Sequence, residues 1–180
     1  MAEHPTLVVI RGNSAAGKSS VARELQLAMG RGTANIGQDH FRRVVLREHD
    51  VPGGDNIELI ASTARHCLAI DYHVILEGIF FSGHYGPMLR SLVAQHRGPA
   101  HVFYLDVTLE ESLRRHSGRA LALEVPASRV RGWYVPTDTL GIDGEVVVDA
   151  DVSMDAVLRV MRDHVGDVPP RHAPDPARFL

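Results

Sequence analysis

Short apolar runs rich in β-branched residues alternate along the chain with segments whose apolar residues recur at helical spacing. The strand-like runs cover 6–10, the weaker 33–37, 73–78, 100–107 and 144–150. Runs of this kind are typical of strands buried on both faces, and their alternation with helices predicts a parallel sheet covered by helices. We therefore expect an α/β fold.

Helical periodicity and capping residues mark where the helices begin. Periodic segments cover 19–29, 39–48, a longer stretch from 55, 87–96, 108–116 and 153–165. The residues expected to cap helices are Asp55 or Asn56, Thr108 (with Glu111 in a capping box) and Ser153. Pro87 is expected in the first turn of its helix, where its missing N–H costs nothing.

The first strand leads directly into a phosphate-binding loop. The segment 12–19 reads GNSAAGKS, which is the G-x-x-x-x-G-K-S pattern, and it lies between a strand and a helix as the motif requires. Backbone N–H groups of such a loop bind phosphate oxygens, the lysine reaches the β- and γ-phosphates, and the serine hydroxyl binds Mg²⁺. The predicted nucleotide-binding residues are Gly12, Asn13, Ser14, Ala15, Ala16, Gly17, Lys18, Ser19 and Ser20.

Other features narrow the class of nucleotide-binding protein. The chain has no N-K-x-D motif for reading guanine, and its VILEG strand ends in Glu77 rather than in aspartate. Both features favour a small kinase over a GTPase or an ATPase machine. Glu77 ends a buried strand, where a carboxylate is costly unless it is used or paired. It is expected to hold Mg²⁺ or the acceptor, or else to form an ion pair with an arginine.

A kinase also needs groups that face the transferred phosphate. Asp39 follows the second strand and Arg42 lies three residues later, on the same side of a helical turn. Asp39 is the predicted general base and Arg42 is predicted to position the acceptor. The alternative is that Asp39 only caps the helix.

An arginine-rich segment, 114–138, is predicted to form a lid. Arg115 and Arg119 are its expected catalytic arginines, which would stabilise charge on the phosphoryl group. Trp133 and Tyr134 could stack on a ring of the substrate, but we favour a role as the lid's hydrophobic anchor.

Composition limits the remaining possibilities. With 180 residues, of which 44% are hydrophobic, the chain can form one domain with a full core. We expect that domain at 1–166 and an extended, proline-rich tail at 167–180. A net charge of −3 gives no general basic field for nucleic acid, and the histidines lack metal-ligand spacing. A single cysteine and no long apolar stretch predict a cytoplasmic protein with no membrane partner.

With these motifs in place, the chain resembles the P-loop kinases of the nucleoside-monophosphate-kinase-like group over 6–165. GQDHFRR (37–43) looks like the Asp-x-x-Arg segment of phage-type polynucleotide 5′-kinases, and chloramphenicol phosphotransferases and zeta-type toxins are similar in layout. The resemblance implies a five-stranded parallel sheet in the order 2-3-1-4-5, ATP with Mg²⁺, and phosphoryl transfer to a hydroxyl. It implies that Asp39 is the base and that Arg42 contacts the acceptor side.

Three hypotheses follow for the function. The first is an ATP-dependent kinase that acts on a hydroxyl of a small molecule such as an antibiotic, sugar or nucleoside derivative. The second keeps the chemistry and takes a polynucleotide 5′-hydroxyl as acceptor. The third is a regulatory module that hydrolyses ATP slowly and acts through a partner. The sequence leaves open whether the protein is a monomer or a homodimer.

Overall fold

The computed structural model describes residues 4–171 and is built on one sheet of five parallel strands. The strands are β1 (Leu7–Gly12), β2 (Thr33–Gly37), β3 (His73–Glu77), β4 (Ala100–Asp106) and β5 (Glu145–Asp149). Their order across the sheet is β2-β3-β1-β4-β5, which confirms the predicted order. This topology brings the carboxyl ends of β1 and β3 together, because Ile10 pairs with Glu77.

Helices cover both faces of the sheet. They are α1 (Lys18–Met29), α2 (Asp55–Ala69), α3 (Ser82–Gln95), α4 (Leu109–Ser117), α5 (Ala127–Trp133) and α6 (Met154–Val165). A π-helix (His40–Leu46) follows β2, and a 3-10 helix (Ala120–Leu123) lies between α4 and α5. No helix within 4–171 combines the length and apolarity needed to cross a membrane.

The alternation of side chains along β1 divides the core into two layers. Val8 and Ile10 pack in one layer with residues of α1 and α6, such as Leu25. Leu7 and Val9 pack in the other layer with residues of α2 and α3. All of β1 is buried, as expected for an apolar central strand covered by helices on both sides.

The predicted cap of α2 is wrong. Gly54, not Asp55 or Asn56, is the N-cap, and it provides no side chain. The carboxylate of Glu48 takes over this role by accepting a hydrogen bond of 2.7 Å from the backbone N–H of Asn56. A cap supplied from outside the helix leaves no local sequence signal.

The predicted start of α3 is also wrong. The helix begins at Ser82, so Pro87 lies inside it rather than in its first turn. The earlier start is supported by Asp138, whose carboxylate accepts hydrogen bonds from the backbone N–H (2.9 Å) and the hydroxyl of Ser82. The caps predicted at Thr108 and Ser153 are confirmed, since each accepts a hydrogen bond from the N–H three residues later. The capping box with Glu111 is not complete, because the N–H of Thr108 donates to Asp151 instead.

The chain after α6 has no regular secondary structure up to residue 171. His73, at the start of β3, contacts this segment through a 3.0 Å hydrogen bond between its Nε2 and the carbonyl of Pro169. The rest of the predicted tail, 172–180, lies outside the described residues. The boundary expected at 166 stays a prediction.

Arg11 is a fully buried arginine in the central strand. Its guanidinium contacts Asp138 at 3.0 Å and Glu145 at 3.2 Å, and it donates two hydrogen bonds to the carbonyl of Phe80. The two carboxylates are themselves nearly buried, with 11% and 5% of their side chains exposed. The guanidinium therefore joins four segments of the chain at one point beneath the phosphate-binding loop.

We expect Arg11→Met to lower the free energy of unfolding by about 3 kcal/mol, because it leaves two carboxylates buried without their cation. Adding Asp138→Asn and Glu145→Gln to Arg11→Met should recover a large part of that loss. Urea unfolding followed by circular dichroism measures both effects. Arg159→Met, at an exposed arginine of α6, is the control and should change stability by less than about 0.5 kcal/mol. A single variant as stable as the wild type would contradict the prediction.

Candidate active site

The two glycines of the phosphate-binding loop are required by its backbone. Gly12 has a φ of +146°, and a Cβ there would lie 2.4 Å from the carbonyl oxygen of Leu105. Gly17 is the N-cap of α1 and has a left-handed conformation with a φ of 90°. Side chains at either position would be strained, so the loop keeps the shape in which its N–H groups and the N-terminus of α1 face one ligand.

Lys18 lies at the centre of this loop and is buried, with 8% of the residue exposed. Its ammonium group donates a 2.7 Å hydrogen bond to the carbonyl of Asn13. Burial lowers the pKa of Lys18 to about 8, although the charges of Glu77 and Asp39 raise it; Arg119 lowers it further. These electrostatic effects show that the predicted residues of the loop, β3, the π-helix and the lid share one region.

Glu77 contacts Ser19, its predicted partner in metal binding. The serine hydroxyl donates a 2.9 Å hydrogen bond to the Glu77 carboxylate. Burial raises the pKa of Glu77, while the bond from Ser19 and the charge of Lys18 lower it. Among the described residues Glu77 forms no ion pair with an arginine at contact distance. Its predicted role as a metal ligand stays a prediction.

Asp39 and Arg42 form the expected pair at the start of the π-helix. The Asp39 carboxylate accepts a 2.8 Å hydrogen bond from Arg42, and Arg43 approaches it at 3.3 Å. Its side chain makes no capping hydrogen bond, and 60% of it is exposed. The alternative that Asp39 only caps the helix is therefore not supported by the geometry. Arg43 was not among the predicted site residues, although its spacing of four from Asp39 is a helical signal.

The two predicted lid arginines differ in their surroundings. Arg115 donates a 2.6 Å hydrogen bond to Glu111 and a 2.7 Å bond to the carbonyl of Ala150, so its guanidinium is engaged within the fold. Arg119 is exposed, and its guanidinium makes no hydrogen bond with the residues described. Its charge nevertheless acts on Lys18 and Glu77. Of the two predicted lid arginines, Arg119 is thus the one that is available to a ligand in the loop.

The phosphate-binding loop is hydrogen-bonded to the predicted lid and to α4, the helix in which that lid begins. The Asn13 side chain donates to the carbonyl of Val135 at 2.8 Å and accepts from its N–H at 3.1 Å. The hydroxyl of Ser112, in α4, donates to the carbonyl of Ser14 at 2.8 Å. The loop and the lid are therefore held as one unit.

Tyr134 and Trp133 have separate roles. The Tyr134 hydroxyl donates a 3.0 Å hydrogen bond to the carbonyl of Val107. This contact agrees with the predicted role of Tyr134 as an anchor of the lid. Trp133 is 43% exposed and faces the cavity described next. Trp133 thus remains available to a ligand.

A cavity of about 820 Å³ lies between the π-helix, the start of α3 and the lid. It is of the size that small-molecule sites have. Its lining includes Arg42, Arg43, Arg47, Asp50, Phe81, His84, Arg129 and Trp133. Arg42 also donates a hydrogen bond to Asp39, so the cavity adjoins the carboxylate predicted to be the general base.

Asp50 is a cavity residue that the sequence did not point to. Its carboxylate accepts hydrogen bonds from the Tyr85 hydroxyl (2.9 Å) and the Gln38 amide (3.3 Å), and His84 approaches it at 3.6 Å. Tyr85 in turn accepts a 2.7 Å bond from the Asn56 side chain. Asp50 lies in an irregular loop, where neither periodicity nor a motif identifies it.

Comparison with protein families and solved structures agrees with this geometry. A family profile described as an AAA domain, AAA_33, matches residues 7–133. No curated protein sequence matches the chain. The APS kinase CysC of Mycobacterium tuberculosis, solved with AMPPNP and APS, is 20% identical, with a TM-score of 0.69 over 90% of this chain and 98% of that one.

Two further solved structures share the architecture. A gluconokinase from Sinorhizobium meliloti is 18% identical, with a TM-score of 0.61 over 90% of this chain and 96% of that one. A chain of the Pnkp1/Rnl/Hen1 RNA repair complex is 16% identical, with a TM-score of 0.54 over 94% of this chain and 49% of that one. At these identities the similarity establishes the fold alone, which is that of P-loop kinases.

The pKa of Lys18 predicts how nucleotide affinity depends on pH. Only the protonated amine attracts phosphate, and in the free protein that proton is lost as the pH rises through about 8. We expect the Kd for ATP to rise between pH 7.5 and 9.5, by at most about tenfold per pH unit. Calorimetric titration at several pH values measures this. Lys18→Arg, which stays protonated, should remove the dependence; an equal rise in that variant would contradict the assignment.

The bonds between Asn13 and Val135 predict a change in lid dynamics. Asn13→Ala removes the acceptor of the Val135 N–H, and we expect that amide to exchange its hydrogen about fivefold faster, which corresponds to about 1 kcal/mol. Hydrogen exchange followed by NMR measures the rate. Asn35→Ala, at an exposed position of β2, should leave the rate unchanged. Unaltered protection of Val135 in Asn13→Ala would show that other contacts hold the lid.

Proposed function

We propose that this protein is an ATP-dependent kinase that transfers the γ-phosphate to a hydroxyl of a small molecule. The chain belongs to the AAA_33 family of AAA domains. One observation carries this proposal: the charges of Asp39 and Arg119 reach both the loop lysine and Glu77, and Arg42, which bonds Asp39, lines a partly open cavity. Binding a nucleotide requires only the phosphate-binding loop and its lysine. A kinase also requires a carboxylate near the acceptor hydroxyl and space for the acceptor, which Asp39 and this cavity would supply.

The proposed reaction is a direct in-line transfer. The acceptor hydroxyl gives its proton to the carboxylate of Asp39 while its oxygen forms a bond to the γ-phosphorus. The bond between that phosphorus and the β,γ-bridging oxygen breaks, and ADP leaves with the electron pair. Arg42 and Arg43 hold the Asp39 carboxylate at 2.8 and 3.3 Å, which fixes its direction before the acceptor arrives.

The residues present fit the magnesium ion that such a reaction uses. A serine hydroxyl and a carboxylate, Ser19 and Glu77, are the hard oxygen donors that magnesium takes from a protein when phosphates and water supply the rest. No group of three or more His, Cys, Asp or Glu side chains that could hold a metal occurs in the part of the chain described. When bound, the ion would neutralise charge on the phosphate oxygens.

The lid would complete the site. Arg119, which makes no hydrogen bond through its guanidinium within 4–171, is the proposed source of positive charge for the transferred group. Arg115 could serve only after leaving Glu111 and the Ala150 carbonyl. We therefore propose Arg119 as the catalytic arginine of the lid and retain Arg115 as a weaker candidate.

The test is transfer of labelled γ-phosphate from Mg-ATP to a panel of acceptors: antibiotics, sugars, sugar derivatives, nucleosides and a 5′-hydroxyl oligonucleotide. We expect label on one class of small molecule. Asp39→Asn should reduce transfer about 100-fold or more, because a general base contributes at least that factor, while ATP still binds. Glu24→Gln, at a carboxylate of α1 outside the cavity lining, is the matched control and should leave transfer unchanged.

The other two hypotheses give different results in the same experiment. Label on the oligonucleotide, with an affinity that falls steeply with salt, would assign a polynucleotide acceptor. Label released only as free phosphate, at the same rate in the wild type and in Asp39→Asn, would remove the base assignment and favour a regulatory ATPase.

A further inference from the structure

The side chains that line the cavity carry a surplus of hydrogen-bond donors. Four arginines line it, namely Arg42, Arg43, Arg47 and Arg129, together with three acidic residues, Glu48, Asp50 and Glu124. Arginine presents five N–H donors and no acceptor, whereas an ionised carboxylate only accepts. Which of these groups a ligand can use depends on the partners that they already have inside the protein.

Two of the three carboxylates already have partners within the fold. Glu48 accepts the N–H of Asn56 at the start of α2, a position where the helix dipole stabilises negative charge. Asp50 accepts from Tyr85 and Gln38. Glu124, at the end of the 3-10 helix, is exposed to solvent. Glu48 and Asp50 therefore serve the architecture of the cavity, and Glu124 is the one carboxylate of the lining that has no partner among the described residues.

The four arginines of the lining differ in whether they have partners. Arg42 and Arg43 are paired with Asp39. Arg47 and Arg129 are exposed, and their guanidinium groups make no hydrogen bond or ion pair with any residue of 4–171. Both line the cavity but they belong to different elements, since Arg47 follows the π-helix and Arg129 belongs to α5. A ligand in the cavity would thus meet two cations that have no partner among the described residues.

The cavity also has an apolar side. Phe81, at the start of α3, and Trp133, at the end of α5, are both in its lining. Flat aromatic side chains of this kind pack against rings and aliphatic carbon. The volume of about 820 Å³ suits a molecule of drug or metabolite size.

We propose that the acceptor is an anionic small molecule, with a carboxylate, phosphate or sulfate group that is bound between Arg47 and Arg129. This inference rests on the proposed function, which makes the ligand of the cavity the phosphoryl acceptor. It adds the chemical class of that acceptor and names Arg47 and Arg129 as residues that determine specificity. An oligonucleotide with a terminal phosphate presents the same anionic chemistry, and it is distinguished as an outcome of the test.

The test uses pairs of hydroxyl compounds that differ only in the anionic group: a hydroxy acid and its carboxamide, and a sugar phosphate and the free sugar. An oligonucleotide with and without a 3′-phosphate forms the third pair. We expect the anionic small molecule to have a kcat/KM at least about tenfold above its neutral partner, as hydrogen bonds to charged groups give. Arg47→Gln and Arg129→Gln should reduce that preference by raising the KM for the anionic acceptor, with kcat and the KM for ATP little changed.

Two further measurements separate this inference from the kinase proposal. Arg159→Gln removes the same charge from α6, outside the cavity lining, and should keep the full preference. Calorimetric binding of each pair, with the phosphate-binding loop saturated by a non-hydrolysable ATP analogue, tests recognition without catalysis. Binding of the anionic member that depends on Arg47 and Arg129, together with no transfer from Mg-ATP, would support an anion site at these arginines but remove the kinase and, with it, the role of the anion as acceptor.

Three outcomes would overturn the inference. Transfer to neutral and anionic members at equal efficiency would leave the kinase in place and remove the anionic acceptor. A preference for the anion that survives in both arginine variants would show that other residues bind it. Preference for the 3′-phosphorylated oligonucleotide alone would assign the two arginines to nucleic acid instead of a small molecule.

Discussion

The burial of the Arg11 guanidinium is the constraint on which the rest of the site depends. Arginine keeps its charge in proteins, so a buried guanidinium must be surrounded by acceptors. Asp138 and Glu145 supply charge, and the carbonyl of Phe80 supplies two hydrogen bonds. These partners come from the segment that returns from the lid, from β5 and from the turn after β3. One side chain thus sets the relative positions of the lid, the sheet edge and the cavity wall, directly before the phosphate-binding loop.

The same contacts hold a strained residue beside the cavity. Phe80 has a positive φ of 42°, which is unusual for an aromatic residue and costs about 1–3 kcal/mol. Its carbonyl is held by Arg11 and its N–H donates to the Gln38 side chain at 3.1 Å. Gln38 also donates a hydrogen bond to Asp50. Hydrogen bonds therefore connect the strained turn, the segment before the π-helix and the cavity carboxylate. The next residue, Phe81, is thereby aimed into the cavity.

The features that could be predicted from the sequence are those that arise from local patterns. The β-branched runs predicted a parallel sheet, and the spacing of the glycines and Lys18 predicted the phosphate-binding loop. The order of the strands was implied by the resemblance to P-loop kinases. The predicted cap of α2 and start of α3 were wrong because side chains outside each helix supply the contacts: Glu48 lies in the loop before α2, and Asp138 lies in a distant segment. Asp50 and Arg11 were not anticipated for the same reason: their importance comes from partners that only the fold brings to them.

The charged groups around Lys18 affect the ionisation of Lys18 and of Glu77. Burial disfavours the charge of Lys18 and of Glu77, and each favours the charge of the other. Asp39 and Arg119 act on both with opposite signs. A polyanion in the loop would favour protonated Lys18. It would also repel Glu77 and Asp39, and the positive charges of Arg119, Arg42 and Arg43 would offset that repulsion.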